Sequence, residues 1–219
     1  MTAAAEPIVR VAADAIDFGP ALSLRGTCMH FERNAEVFGE GEPAEYLYQV
    51  VSGAVRTMRF TSDGRRQILG FHLPGDIFGI ELGQMHSLTA EALASTNVVM
   101  VRRSLLERAA AEDPRAARCW LEHASKTINS ARDHALLLGR KGAGERVAAF
   151  LLWISERFVR AQDFNLPMSR ADIADYLGLT IESVSRAFTE MERQCAIDLP
   201  TSRHVVMRNR PSLALAAAA

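Results

Sequence analysis

The chain has 219 residues, enough for one large domain or two small ones, and its 48% apolar and 23% charged residues exclude disordered and collagen-like classes. The formal net charge of −1 favours no class of partner, and no apolar run approaches the roughly 18 residues that a membrane span needs. Three widely spaced cysteines make no disulfide framework and the first ten residues make no secretory signal, which predicts a cytoplasmic protein without membrane contacts.

Residues 1–25 are rich in alanine without clear periodicity, which predicts an arm or a short helix before the main fold. Residues 26–112 have the texture of short strands separated by glycine turns. Asp63-Gly64 is a strong hairpin signal, because glycine accepts the positive φ of a tight turn. Strands at this spacing predict a sandwich or barrel, and a jelly roll (β-roll) fits. The turns recur at intervals of 12, 11 and 11 residues, at Gly41, Gly53, Gly64 and Gly75.

Residues 113–139 predict one long helix, which Pro114 opens and Gly139 and Gly142 close. Its apolar residues recur in steps of 3, 4, 3, 4 and 3, which is the seam of a coiled coil and predicts a homodimer. The alternative is a helix packed on its own β domain, but about eight turns exceed what one small sandwich needs. The seam residues are Leu121, Ala124, Ile128, Ala131, Ala135 and Leu138.

Residues 140–211 predict a second, winged domain, built around a helix-turn-helix at 170–189. Ser169 and Thr180 are the expected N-caps of its two helices. The second helix of such a unit lies in the major groove of double-stranded DNA, with its N-terminal residues on the base edges. The positions that restrict the motif hold small or apolar residues, namely Ala174, Gly178 and Val184.

The exposed face of that second helix carries the expected base-reading side chains. Arg186 can donate a bidentate pair of hydrogen bonds to guanine, and Glu182 can accept from the amino group of cytosine. The alternative is a surface ion pair between the two, since they are four residues apart on one face. The base-reading set is Ile181, Glu182, Ser185 and Arg186.

Residues 166–186 closely resemble the helix-turn-helix of the CRP/FNR family of bacterial transcription regulators. The order of β-roll, long helix and winged helix-turn-helix over residues 25–210 is also that family's, so the resemblance implies an α+β fold. Glu182, Ser185 and Arg186 match the DNA-reading set of FNR-type members. The resemblance therefore implies a homodimer on a TTGAT-N4-ATCAA-like palindrome.

Residues 75–81 and 88–93 resemble the FixK branch of the family. This resemblance implies an activator of low-oxygen (microaerobic) or nitrogen-fixation genes that works with RNA polymerase. Phosphate contacts set the register of such a protein on DNA rather than its sequence preference. We expect these contacts from Ser169, Arg170, Thr180, Ser183 and Thr189, with help from Arg203, Arg208 and Arg210.

The departures from the family suggest regulation without a cofactor. Oxygen-sensing members hold an iron–sulfur cluster on several cysteines, whereas Cys28 stands alone here. Members that bind cAMP have an Arg-Ser pair for the cyclic phosphate, where this chain has His86-Ser87. A ligand-gated member remains the alternative, with a nucleotide in the β-roll or a haem on His30, His72 or His86. Cys195, just past the second helix, is either an oxidisable thiol near DNA or an inert buried cysteine.

A rival of another class is a cupin-type enzyme with a helical appendage. A cupin holds its metal on paired histidines at His-x-His spacing, and no such pair occurs. We therefore expect no catalytic residue, no metal site and no enzyme activity.

Residues 212–219 are expected to form a short flexible tail. The Leu-Ala-Ala character of its end is similar to the tag that bacteria add to stalled products. That similarity implies a Clp-type protease as a partner through the tail.

Overall fold

The computed structural model describes residues 14–140 and 142–218, which fall into two compact units. One unit contains residues 14–65 and 69–133, and the other contains residues 66–68 together with the described residues from 134 onward. The expected α+β architecture of β-roll, long helix and helix-turn-helix is confirmed. No helix in the described residues is both long and apolar enough to cross a bilayer.

The β-roll consists of two four-stranded sheets, ordered β3-β10-β5-β8 and β4-β9-β6-β7. Leu47 and Val99 belong to one apolar cluster, and Phe38, Val50 and Phe78 belong to a second. The strands are β1 Ala15–Gly19, β2 Leu22–Arg25, β3 Thr27–Phe31, β4 Glu36–Phe38, β5 Tyr46–Ser52, β6 Val55–Phe60, β7 Arg66–His72, β8 Ile77–Phe78, β9 Thr89–Ala92 and β10 Thr96–Arg102.

The structure corrects the arm that was expected to reach residue 25. Strands β1 and β2 pair antiparallel there, and Ile16 and Leu22 are buried at 0% and 4% exposure. Alternate apolar side chains therefore join the core of the β-roll, a short strand pattern that the alanines before it obscure. Residues 1–13 of the expected arm lie outside the described residues.

Two helices follow the β-roll, α1 Arg103–Glu112 and α2 Pro114–Arg140. The long helix predicted at 113–139 is thus confirmed, with a length of 27 residues, although it continues through Gly139, its expected end, to Arg140. Leu121 and Ile128, two large residues of the expected seam, are 66% and 52% exposed in the single chain. Apolar side chains exposed along one helix are typical of an interaction surface, and the seam as the dimer interface stays a prediction.

The second unit is a winged helix-turn-helix. Phe150, Leu151 and Phe188 are among its fully buried side chains. A three-stranded sheet ordered β11-β13-β12 forms its wing. The elements are α3 Ala143–Ser155, β11 Asp163–Asn165, α4 Arg170–Leu177, α5 Ile181–Arg193, β12 Ile197–Asp198, β13 His204–Met207 and α6 Arg210–Ala218.

The flexible tail expected at 212–219 is wrong for residues 212–218, because α6 runs through them. Leu213 is only 1% exposed, and α6 packs along α3. The side chain of Asn209 accepts a hydrogen bond from the Ser212 N–H at 3.0 Å, which caps the start of the helix. Leucine and alanine are also strong helix formers, which favours a helix in this segment.

Candidate nucleic-acid interface

Helix α4, the first helix of the motif, begins and ends as its sequence predicts. Ser169 Oγ accepts from the Asp172 N–H at 3.1 Å, and Asp172 Oδ2 accepts from the Ser169 N–H at 2.9 Å, which completes a capping box. Gly178 ends the helix with φ 61° and ψ 42°, a left-handed conformation that suits glycine. This cap makes the sharp turn that leads into α5.

Helix α5 presents a polar face outward and an apolar face inward. Thr180 Oγ1 accepts from the Ser183 N–H at 3.2 Å, so Thr180 is the N-cap that the sequence predicts. Val184 and Phe188 are 0% and 1% exposed and fix the inner face of the helix against its own unit. The side chains exposed on the outer face include Ile181, Glu182, Ser185, Arg186 and Thr189.

Glu182 and Arg186 do not form an ion pair with each other in the described part of the chain. Hydrogen bonds from the Glu182 backbone N–H and the Thr180 side chain, and the nearby charge of Arg186, lower the pKa of Glu182. Glu182 is therefore an ionised acceptor at neutral pH, and Arg186 is a cation one helical turn away. The two groups stay open to partners, as base reading requires.

Arg170, for which we expect a phosphate contact, lies against Phe188 on the inner face of α5. Its guanidinium carbon is 3.1 Å from the centroid of the Phe188 ring, a cation–π contact. Burial lowers its pKa to about 10, so it remains charged at neutral pH. Its Nη1 is buried without a hydrogen-bond partner among the described residues. A phosphate contact by Arg170 stays a prediction and requires the side chain to leave this ring.

The three other arginines proposed for phosphate contacts each bind within their own unit. Arg203 Nη1 donates to the Pro167 carbonyl at 3.3 Å. Arg208 pairs with Asp198 across the wing. The third, Arg210, donates to Ser155 Oγ at 3.0 Å and to Glu156 Oε1 at 2.6 Å, and so joins α6 to α3. These contacts hold the wing and α6 in place.

Two cationic or polar side chains that sequence reasoning missed hold the C-terminal end of α4. His134 Nε2 donates to the Tyr176 carbonyl at 2.9 Å. Arg146 donates from Nη1 to the Leu177 carbonyl and from Nη2 to the Leu138 carbonyl, both at 2.8 Å. Neither residue belongs to a motif, so no local sequence signal could have marked it.

Cys195 lies in the turn that follows α5. It has a positive φ of 56°, and its N–H donates to the Glu192 carbonyl at 2.9 Å. Its side chain is exposed, so the alternative of a buried, inert cysteine is wrong. An oxidisable role for this thiol stays a prediction.

The His86-Ser87 stretch of the β-roll offers neither a free hydroxyl donor nor a cation to a cyclic phosphate. Ser87 donates from its N–H and its Oγ to Glu81 Oε1, at 2.9 and 2.7 Å, so its donors are already used. The His86 ring is stacked on Phe38 with centroids 3.7 Å apart, and neither ring nitrogen has a partner among the described residues. Burial lowers the pKa of His86, so this position offers a neutral ring instead of a cation.

Two of the three candidate haem ligands already have side-chain partners. His30 contacts Asn97 and Glu32 at 3.0 and 3.2 Å, and His72 contacts Thr57 at 3.0 Å. Within residues 14–140 and 142–218, no group of three or more His, Cys, Asp and Glu side chains is arranged to hold a metal ion.

Two family models match the chain, the Crp-like helix-turn-helix domain over residues 145–216 and the cyclic nucleotide-binding domain over residues 28–113. The nitrogen fixation regulation protein FixK of Azorhizobium caulinodans is 46% identical over 193 residues, which cover 86% of this chain and 78% of that one. FixK of Bradyrhizobium diazoefficiens is 44% identical over 176 residues, covering 78% and 74%. The solved structure of FixK2 from Bradyrhizobium japonicum matches with a TM-score of 0.87 and 50% identity, over 90% of this chain and 99% of that one.

Proposed function

Because the chain belongs to the FixK-like branch of the CRP/FNR family of DNA-binding transcription regulators, we propose that it activates low-oxygen or nitrogen-fixation genes from the cytoplasm. Two copies bind a TTGAT-N4-ATCAA-like palindrome in this proposal, with one α5 helix in each half-site. The observation that carries it is the outer face of α5, where Glu182, Ser185 and Arg186 are exposed at the start of a well-capped helix.

We propose different DNA contacts for different parts of the helix-turn-helix. The exposed side chains of the first two turns of α5 read the bases. Ser183 and Thr189 on the same helix contact phosphates that set the register. Ser169 and Thr180 join them by exchanging the hydrogen bonds that their hydroxyl groups donate to Asp172 and Ser183 for bonds to phosphate. Arg170 joins this set only when it leaves Phe188.

An equilibrium binding titration tests the proposed function. Fluorescently labelled duplexes carry the TTGAT-N4-ATCAA palindrome, the same duplex with both half-sites scrambled, or one intact half-site. We expect the palindrome to bind about a thousandfold or more tighter than the scrambled duplex at one fixed salt concentration. Equal binding to both duplexes contradicts the proposal.

The proposal also states that DNA binding needs no ligand. Glu81 occupies the donors of Ser87, and His86 supplies no cation, which supports regulation without a cyclic nucleotide. Purified protein should bind the palindrome in air with no addition, and cAMP should leave the affinity unchanged. A strict requirement for cAMP or haem favours the ligand-gated alternative.

Two partners complete the proposal. RNA polymerase is the partner of an activator bound beside a promoter, and in-vitro transcription from a palindrome-bearing template measures its recruitment. A Clp-type protease that recognises the alanine-rich end stays a prediction. Since α6 includes residues 210–218, such a protease would first have to unwind the helix around Leu213.

A further inference from the structure

Helix α4 ends against two donors that come from outside the motif. The last carbonyls of any helix lack partners within the helix, so they must find donors elsewhere. Here His134 Nε2 binds the Tyr176 carbonyl at 2.9 Å, and Arg146 Nη1 binds the Leu177 carbonyl at 2.8 Å. The positive charge of Arg146 also suits the negative end of the helix dipole.

The same two side chains belong to the elements that lead from the seam helix into the second unit. His134 lies in the C-terminal part of α2, and Arg146 lies in the first turn of α3. Arg146 Nη2 also binds the Leu138 carbonyl, near the end of α2, at 2.8 Å. One guanidinium therefore joins the end of α2 to the end of α4.

Aromatic stacking reinforces this junction. The His134 ring lies on the Tyr176 ring with centroids 4.0 Å apart and an interplanar angle of 6°. Tyr176 is also near the Trp153 ring, at 6.2 Å, and is 9% exposed. The junction thus combines three hydrogen bonds to backbone carbonyls with a stacked pair of rings, so a small rotation of α4 relative to the end of α2 would break several contacts at once.

We propose that His134 and Arg146 are positioning residues that fix the end of the seam helix α2 to the helix-turn-helix, and so set the half-site spacing that the dimer accepts. This inference rests on the proposed function, because it assumes two copies on one palindrome. In such a dimer the seam belongs to α2 and the base-reading face to α5. The angle at the α2–α4 junction then determines the distance between the two reading faces.

Spacing preference distinguishes a positioning role from a general structural one. Duplexes carry the two half-sites with spacers of three, four or five base pairs, and a fourth duplex carries a single half-site. The wild type should prefer the four-base-pair spacer. His134→Phe keeps an aromatic ring but has no donor. Arg146→Lys keeps the charge but replaces the two separate Nη donors of the planar guanidinium by a single nitrogen. We expect each variant to lose about two- to tenfold of that preference, the effect of one hydrogen bond, while binding to the single half-site is unchanged.

The controls separate the hydrogen bond from its surroundings. His134→Gln, which retains a side-chain N–H donor, should restore part of the spacing preference, and Asp133→Asn on the neighbouring exposed position should have no effect. Thermal unfolding of every variant verifies that it is folded. Unchanged spacing preference in both His134→Phe and Arg146→Lys overturns the inference, as does an equal loss on all four duplexes.

The outcomes also separate this inference from the function on which it rests. A wild type that prefers the four-base-pair palindrome over scrambled DNA upholds the proposed function whatever the variants do. A wild type without that preference overturns both.

Discussion

Glu182 and Arg186 lie one helical turn apart on α5, yet they do not neutralise each other. Because Arg186 has no competing partner among the described residues, its planar donors can approach a guanine at little cost in broken contacts. By contrast, Arg193 at the other end of the helix is paired with Glu190 at 2.7 Å. The two arginines of one helix therefore differ in what they can offer to DNA.

Replacement of Arg186 by alanine should cost about 1–3 kcal/mol on the cognate palindrome and relax the preference at the contacted guanine. Arg193→Ala is the matched control and should leave that preference intact, because its side chain already binds Glu190. Titrations with the palindrome and with duplexes altered at the guanine measure both effects. Equal losses by Arg186→Ala on all duplexes would show a phosphate contact in place of a base contact.

The replacement Gly178→Ala should lower the free energy of unfolding by about 1 kcal/mol, because alanine is strained at φ 61°. The added Cβ has room, with its nearest neighbours at 3.7 and 3.8 Å, so strain rather than collision is the cause. Gly144→Ala is the control. A Cβ added at this helical position meets no neighbouring atom within 4 Å, so the replacement should be neutral or slightly stabilising. Urea unfolding followed by circular dichroism gives both values.

At the scale of single residues, the sequence predicts a hydrogen bond when its donor and acceptor are close along the chain. The caps Ser169 and Thr180 act within three residues, so local chemistry specifies them. The donors His134 and Arg146 meet carbonyls 42 and 31 residues away, and only the fold brings them together. The position of Arg170 on Phe188 has the same origin, because an arginine near DNA is not distinguishable in sequence from one on an aromatic ring.

At the scale of elements, α6 shows how weak sequence periodicity can conceal a packed helix. Its alanines have no pattern, so the segment reads as an unstructured end, whereas α2 and α5 have clear apolar periods and were predicted. The difference in burial shows that α6 packs on one side, since Leu213 is 1% exposed and Leu215 is 74% exposed. Hydrogen bonds from Arg210 to α3 and to Glu156 hold the start of the same helix.

Leu213→Ala should destabilise the second unit by about 2–3 kcal/mol, the cost of a cavity under α6. Leu215→Ala is its matched control, because the same atoms are removed from an exposed position, and should change stability by less than about 0.5 kcal/mol. Chemical denaturation monitored by tryptophan fluorescence is suitable, since Trp153 lies on α3. Similar values for the two variants would mean that α6 does not contribute to the folded unit.

At the scale of the whole molecule, the seam of α2 that the heptad steps predict is the proposed dimer interface. Ile128→Glu should dissociate the dimer, because each dimer would then bury two like charges without partners. Ser130→Glu adds the same charge on another face of the helix and should leave the dimer intact. Sedimentation velocity measures the change, and palindrome affinity should fall with it. A dimeric Ile128→Glu variant would place the interface elsewhere.

Half of the seam consists of alanine, at Ala124, Ala131 and Ala135, so each helix offers only a modest apolar area to its partner. A dimer held by so small an area is expected to dissociate when the chain is scarce. The number of DNA-competent dimers then grows with the square of the number of chains. As long as most chains are monomers and the promoter sites are far from saturated, halving the rate of synthesis would cut promoter occupancy to about a quarter, so gene expression would respond steeply to the supply of this regulator.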